Sequence, residues 1–123
     1  MIRIALFFTL LFSSLFTQAI DLNLITASFK AGNVSPLAAF MDQEVDIAVP
    51  ASAKKCNPGE AVGLLNSFFS SNRTTQFTVV HNADKKDSGF LVGKLLTAGG
   101  EFRVNITYRA GSDKDMIQSI RIE

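Results

Sequence analysis

Between Ser71 and Gln76 the apolar pattern of this chain changes period, and that switch constrains the fold more than any other feature. Before it, Ala61, Leu64, Leu65, Phe68 and Phe69 recur at helical spacing. After it, Phe102, Val104, Ile106 and Tyr108 alternate strictly with Arg103, Asn105, Thr107 and Arg109. A period of two, with one polar and one apolar side, belongs to an antiparallel sheet that has one face on a core and the other in water. Helices first and a run of strands afterwards predict an α+β domain.

The local signals fill in that outline. Asp21 is placed to cap a short helix carrying Leu22, Ile25, Ala27 and Phe29, and Gly32-Asn33 stops it. Ser35-Pro36 reads as an N-cap with proline at the first helical position, opening a brief helix to Met41. Glu44 to Val49 reads as a first strand closed by Pro50. In Asn57-Pro58-Gly59-Glu60 the asparagine caps, the proline starts the helix, and the glutamate occupies the capping-box position. Strands are predicted over Gln76–His81, Phe90–Thr97, Phe102–Arg109 and Met116–Ile122. Asn82–Gly89 is read as a polar turn and Ala98-Gly99-Gly100 as a tight hairpin.

The first nineteen residues have a different character. Met1-Ile2-Arg3 carries a positive charge, Ile4 to Phe16 is almost wholly apolar, and Thr17-Gln18-Ala19 ends in a small residue. That is the arrangement of a cleaved secretory leader, and the apolar run falls short of the roughly 20 residues a membrane span needs. The reading is therefore a leader over 1–19 and one domain over 20–123. The mature chain would be exported to the periplasm or the extracellular space, with no membrane anchor after cleavage. No cysteine follows the cut, as a lipoprotein would require. The single cysteine, Cys56, cannot form an internal disulfide and reads as buried and inert.

The formal charge of the whole chain is +1, and loss of Arg3 with the leader balances it. Nucleic acid would call for a basic stripe; the pairs Lys54-Lys55 and Lys85-Lys86 read as isolated, solvated loop charges. One histidine and no carboxylate cluster with ligand spacing imply no metal. No cofactor is implied, and export removes the cytoplasmic nucleotide pools from consideration.

Several segments, taken in order, carry a family likeness: Glu44-Val45-Asp46-Ile47, the helix with Ala61 and Phe68-Phe69, and Phe77 to His81. Gly93 with Leu95, then Gly100-Glu101-Phe102-Arg103-Val104 and Ile117 to Glu123, continue it. On these the chain resembles an uncharacterised family, a domain of unknown function, of small secreted Bacteroidetes-type proteins. That family lies within the nuclear-transport-factor-2-like, cystatin-like cone superfamily. The resemblance covers nearly all of residues 20–123 and implies a curved, mainly antiparallel sheet wrapped around the helices. Asn82-Ala83 departs from it, because a glycine is expected nearby. The family brings no established activity with it.

Enzymes on such a cone hold acids, bases and tyrosines inside its mouth, which makes Asp46, His81 and Tyr108 the candidate catalytic groups. Asp46 beside Ile47 is a possible base, or else an edge acid facing water. His81 shares strand parity with Phe77 and Val79, which predicts an inward direction; the alternative is a core or rim histidine. Arg103, with Lys94 and Arg121 if register allows, offers an anion-binding stripe, or simply the wet face of the sheet. Three functional expectations follow. The first is an exported non-enzymatic module that binds a small apolar ligand or self-associates as a homodimer through the sheet. The second is a cofactor-independent isomerase or lyase using Asp46 with His81 or Tyr108. The third is a protein-interaction domain using the exposed sheet and last strand.

Overall fold

A computed structural model describes residues 20–123, so the leader and cleavage motif read over residues 1–19 lie outside the described residues. Helix α1 (Leu22–Ala31) is closed at its start by the Asp21 side chain, which accepts from Leu24 N at 3.1 Å, and at its end by Gly32 with φ 68°. Left-handed backbone costs glycine nothing, which is why the helix stops there. The Ser35–Phe40 segment is a single 3-10 helix with Pro36 in its first turn. Ser35 is its first residue rather than its cap, and the Asn33 side chain accepts from Ser35 N at 3.0 Å. Helix α2 (Pro58–Ser71) carries the full capping box. Asn57 accepts from Glu60 N at 2.9 Å, and the Glu60 carboxylate reaches back to Asn57 N at 3.4 Å.

The strands are β1 (Met41–Val49), β2 (Ser52–Cys56), β3 (Thr74–Asp84), β4 (Ser88–Thr97), β5 (Gly100–Arg109) and β6 (Met116–Ile122), in the order β2-β1-β6-β5-β4-β3. Strands β3 to β6 form the expected antiparallel meander, and β1 joins β6 in parallel. The α+β architecture expected from the pattern is the one observed, with the mainly antiparallel sheet that the resemblance implies. Helix α1 packs on β3 and α2 on β1, so both helices lie on one face of the sheet. Between them and the sheet sit Ile25, Phe29, Leu65, Phe69, Phe77, Leu91, Leu95, Ile106 and Ile120, all essentially free of solvent.

Two readings from the sequence need correction. Ser52–Cys56 is a strand rather than a loop, so Lys54 and Lys55 are edge-strand residues. Lysines on a short edge strand are a recognised device against edge-to-edge pairing, which makes such a strand look like a loop in sequence. Lys54 also meets Glu60 of α2 at 2.9 Å. The Asn82–Gly89 turn is shorter than expected, because β3 continues to Asp84 and β4 starts at Ser88.

Irregularities curve the sheet. Val79 pairs with Gly93 and His81 with Val92, so Val80 is an extra residue in β3; such a bulge bends the strand and increases its twist. Further irregularities lie in β3 between Thr74 and Gln76, in β1 between Met41 and Asp46, and in the β5–β6 ladder after Thr107.

A candidate ligand cleft and the polar sites around it

The Val80 bulge decides where the candidate catalytic groups point. It inverts the side-chain alternation after Val79, and His81 lies opposite Val92 on the exposed outer face, its ring 5.4 Å from that of Phe90. The inward direction expected for His81 is thus overturned by one inserted residue. The same inversion turns Asn82 inward. Its amide donates to the Tyr108 hydroxyl at 2.9 Å and to the Phe90 carbonyl at 3.1 Å. Asn82-Ala83, where a glycine was expected nearby, thus lies inside β3 rather than in a turn.

Tyr108 is 2% exposed, and its hydroxyl donates to the Asp84 carboxylate. Burial, reinforced by the bond to Asp84, pushes its pKa up to about 12. Asp46 is exposed on the outer face of β1, opposite Lys55 and Ser119. It borders a polar depression of about 530 Å³ opened beside the β1 irregularity and lined by Asp42, Glu44, Lys55, Thr107 and Ser119 among others. Four strand spacings separate β1 from β3, about 19 Å at ~4.8 Å per step. Asp46 and His81 therefore sit far apart on the outer face while Tyr108 lies beneath the sheet. No common cavity brings the three together among the described residues.

Lys94, Arg103 and Arg121, by contrast, share the outer face of the adjacent strands β4, β5 and β6. Lys94 lies directly opposite Arg103 and Arg121 opposite Asn105, all on the outer face. Acids temper it: Glu101 meets Lys94 at 3.8 Å, and Asn105 donates to Glu123 at 3.3 Å. Arg109, the last member of the β5 polar series, is engaged by Asp42 through Nε at 2.7 Å and Nη2 at 3.0 Å. This two-pronged bond holds the Asp42 carboxyl below its ordinary range. Cys56 is buried at the end of β2, and burial raises its thiol pKa. The nearby Glu60 carboxylate pushes in the same direction, which disfavours a reactive thiolate.

The site with the right shape for a ligand lies elsewhere. Val49, Pro50, Ala51 and Ser52 turn from β1 into β2 across from Leu64, Ser67, Phe68, Ser71 and Asn72 of α2 and its C-cap. Phe102 of β5 completes a cleft of about 380 Å³ between them. Its walls are largely apolar, with hydroxyls at the rim. The Asn72 amide is already given to the Phe68 carbonyl at 3.1 Å. Phe68 and Phe102 meet edge to face at 5.2 Å, and the contacts continue inward through Phe69 and Phe29 to Phe77. The cleft is therefore backed by packed rings rather than by mobile loop. Its size and apolar lining fall in the range of small-molecule sites, about 300–1,000 Å³. In sequence Phe68 and Phe102 read as core before they read as ligand pocket, because the cleft draws on three separated segments.

The profile of a domain of unknown function, DUF4783, matches residues 22–123. The chain belongs to the DUF4783 family. A crystal structure of a DUF4783 protein from Bacteroides uniformis is 32% identical, with a TM-score of 0.79 over 85% of this chain and 96% of that one. The fold alone is shared more widely. A domain of unknown function with a cystatin-like fold from Nostoc punctiforme is 10% identical, with a TM-score of 0.64 over 81% of this chain and 70% of that one. A protein whose name marks it as an NTF2 variant, Rd1NTF2_05, is 13% identical, with a TM-score of 0.66 over 82% and 91%. No curated protein matches this DUF4783 chain.

Proposed function

We propose that this DUF4783 domain is an exported, non-enzymatic binding module that takes one small apolar ligand in the cleft between α2 and the β1–β2 turn. The observation that carries the reading is the cleft itself: about 380 Å³, largely apolar, and lined by the contacting rings of Phe68 and Phe102. Burying apolar ligand surface there contributes about 25 cal/mol per Å², and walls already packed in place keep the ordering cost low. The leader read over residues 1–19 supports export. The wide separation of Asp46, His81 and Tyr108 favours binding over proton-transfer chemistry.

Titration of the purified protein with the apolar fluorophore N-phenyl-1-naphthylamine tests this reading. Saturable binding is expected, weakened about tenfold or more, about 1.4 kcal/mol, when Ser67→Trp fills the rim. Thr107→Trp on the outer face serves as the control and leaves binding unchanged. Absence of saturable binding, or equal loss in both variants, contradicts the proposal.

A second reading rests on a different observation, the cross-strand grouping of Lys94, Arg103 and Arg121 on the outer face. It suits an acidic partner, or a second copy docking through the sheet. Light scattering across concentrations reads self-association directly. A pull-down in which Arg103→Glu loses a partner that wild type retains would favour this reading over ligand binding.

A further inference from the structure

We infer that Asp115 is the docking site for the α-ammonium group created when the leader is removed between Ala19 and Ile20. The inference rests on the export reading given above and adds to it a specific receptor for the processed terminus.

The position of the Ile20 nitrogen is fixed from both sides. Its own side chain packs against the hydrophobic core. The next residue, Asp21, closes the first turn of α1 through bonds from Leu24 N to its carboxylate and from Ile25 N to its carbonyl, each 3.1 Å. So held, the Ile20 nitrogen donates to Asp115 Oδ2 at 3.3 Å, across 95 residues of sequence. Asp115 is half-buried and, among the described residues, forms no ion pair with a lysine or arginine. A neutral amide is a weak partner for such a carboxylate.

The expected scissile bond lies at that nitrogen, because Ala19 is the small residue ending the leader motif. Hydrolysis breaks the Ala19–Ile20 amide and adds one water. The leader departs with the Ala19 carboxylate, and the Ile20 amine takes up a proton at neutral pH. One amide N–H thereby becomes three ammonium N–H donors bearing a full positive charge beside Asp115, and a charge-assisted bond is roughly twice as strong as a neutral one.

The neighbouring groups do not replace this pairing. Asp115 shares a pocket of about 230 Å³ with Asp84, Lys85, Lys86, Ser88, Tyr108 and Ala110. The Tyr108 hydroxyl is committed to Asp84, and the two lysines lie on the exposed β3–β4 turn. Removal of the leader thus converts the tie between the start of α1 and the loop between β5 and β6 from a neutral hydrogen bond into a charged one. The gain has a definite pH signature. An amine whose affinity for protons rises on folding contributes stability below its unfolded titration range, about 7.7–8.0, and loses it as pH rises through the folded value.

The test uses the full chain expressed with its leader in a Gram-negative host and purified from the envelope. Intact mass locates the terminus, and the amine of Ile20 is titrated by nitrogen NMR in the folded protein and again in denaturant. The expected result is a terminus at Ile20 whose folded titration midpoint lies about one unit above the denatured one, a tenfold tighter hold on the proton. Asp115→Asn abolishes the difference. Should that variant fail to fold, the folded-against-denatured comparison in wild type still decides. A terminus at Ile20 with equal midpoints overturns the inference and leaves export standing. Cleavage at another bond likewise overturns only the inference, whereas an uncleaved chain retained in the cytoplasm overturns both.

Discussion

Gly89 lies directly opposite Tyr108 in the β4–β5 ladder, and a Cβ placed on it would fall 2.5 Å from Tyr108 Cε2. The only tyrosine of the chain thus occupies space that a side chain on the neighbouring strand would take. The same arrangement recurs at Gly93, over which the Phe77 ring lies. Glycine is needed at both positions for the room it leaves rather than for backbone freedom.

Gly89→Ala is therefore expected to force the Tyr108 ring away from Asn82 and Asp84. Overpacking of this kind costs about 1–3 kcal/mol, readable as a lower urea midpoint at unchanged slope. An alanine variant as stable as wild type would show that the ring has free space to move into.

Tyr108 reports on its own surroundings. Folded, it titrates near 12, raised first by burial and then by the bond to Asp84; unfolded, it titrates near 10. The native state then holds the proton more tightly, so stability is unaffected below pH ~10 and falls as pH rises from ~10 to ~12. With one tyrosine, phenolate absorbance against pH measures this without ambiguity, and a midpoint near 10 in folded protein would contradict it. Tyr108→Phe removes both bonds, but Asp84 is exposed and the Asn82 amide keeps the Phe90 carbonyl, so the expected cost is about 0.5–1.5 kcal/mol.

The Asp42–Arg109 pair joins β1 to β5, which are separated by β6. The hydrogen bond from Arg109 lowers the Asp42 pKa, against a smaller opposing effect of burial. A depressed carboxylate contributes stability above its unfolded value, about 3.9, and loses it as pH falls through the folded value. Asp42→Asn is expected to lower the melting temperature at neutral pH by no more than about 5 °C, since both partners are part-exposed. The difference closes as pH falls through the folded titration of Asp42; a difference independent of pH would assign the loss to packing.

Much of this fold could be read from the chain because its signals are local. The Asp21 cap, the Gly32 stop and the Asn57–Glu60 box each satisfy backbone groups within one turn, and the alternation of β5 shows its buried face residue by residue. What escaped the sequence depends on partners distant along the chain. The Val80 bulge carries no composition signal, yet it reverses His81 and Asn82. Ser52–Cys56 becomes a strand only because β1 is beside it to pair with. The cleft combines a turn, a helix face and one residue of β5, and Arg109 finds Asp42 across 67 residues. None of these leaves a mark in a window of ten residues.

The claim that this DUF4783 domain holds an apolar ligand beside α2 is tested most directly by NMR shift mapping with N-phenyl-1-naphthylamine. Perturbed amides are expected at Val49–Ser52, along Leu64–Asn72 and at Phe102, saturating together with a single dissociation constant. Perturbations centred instead on Lys94, Arg103 and Arg121, or a spectrum unchanged at saturating probe, would contradict it.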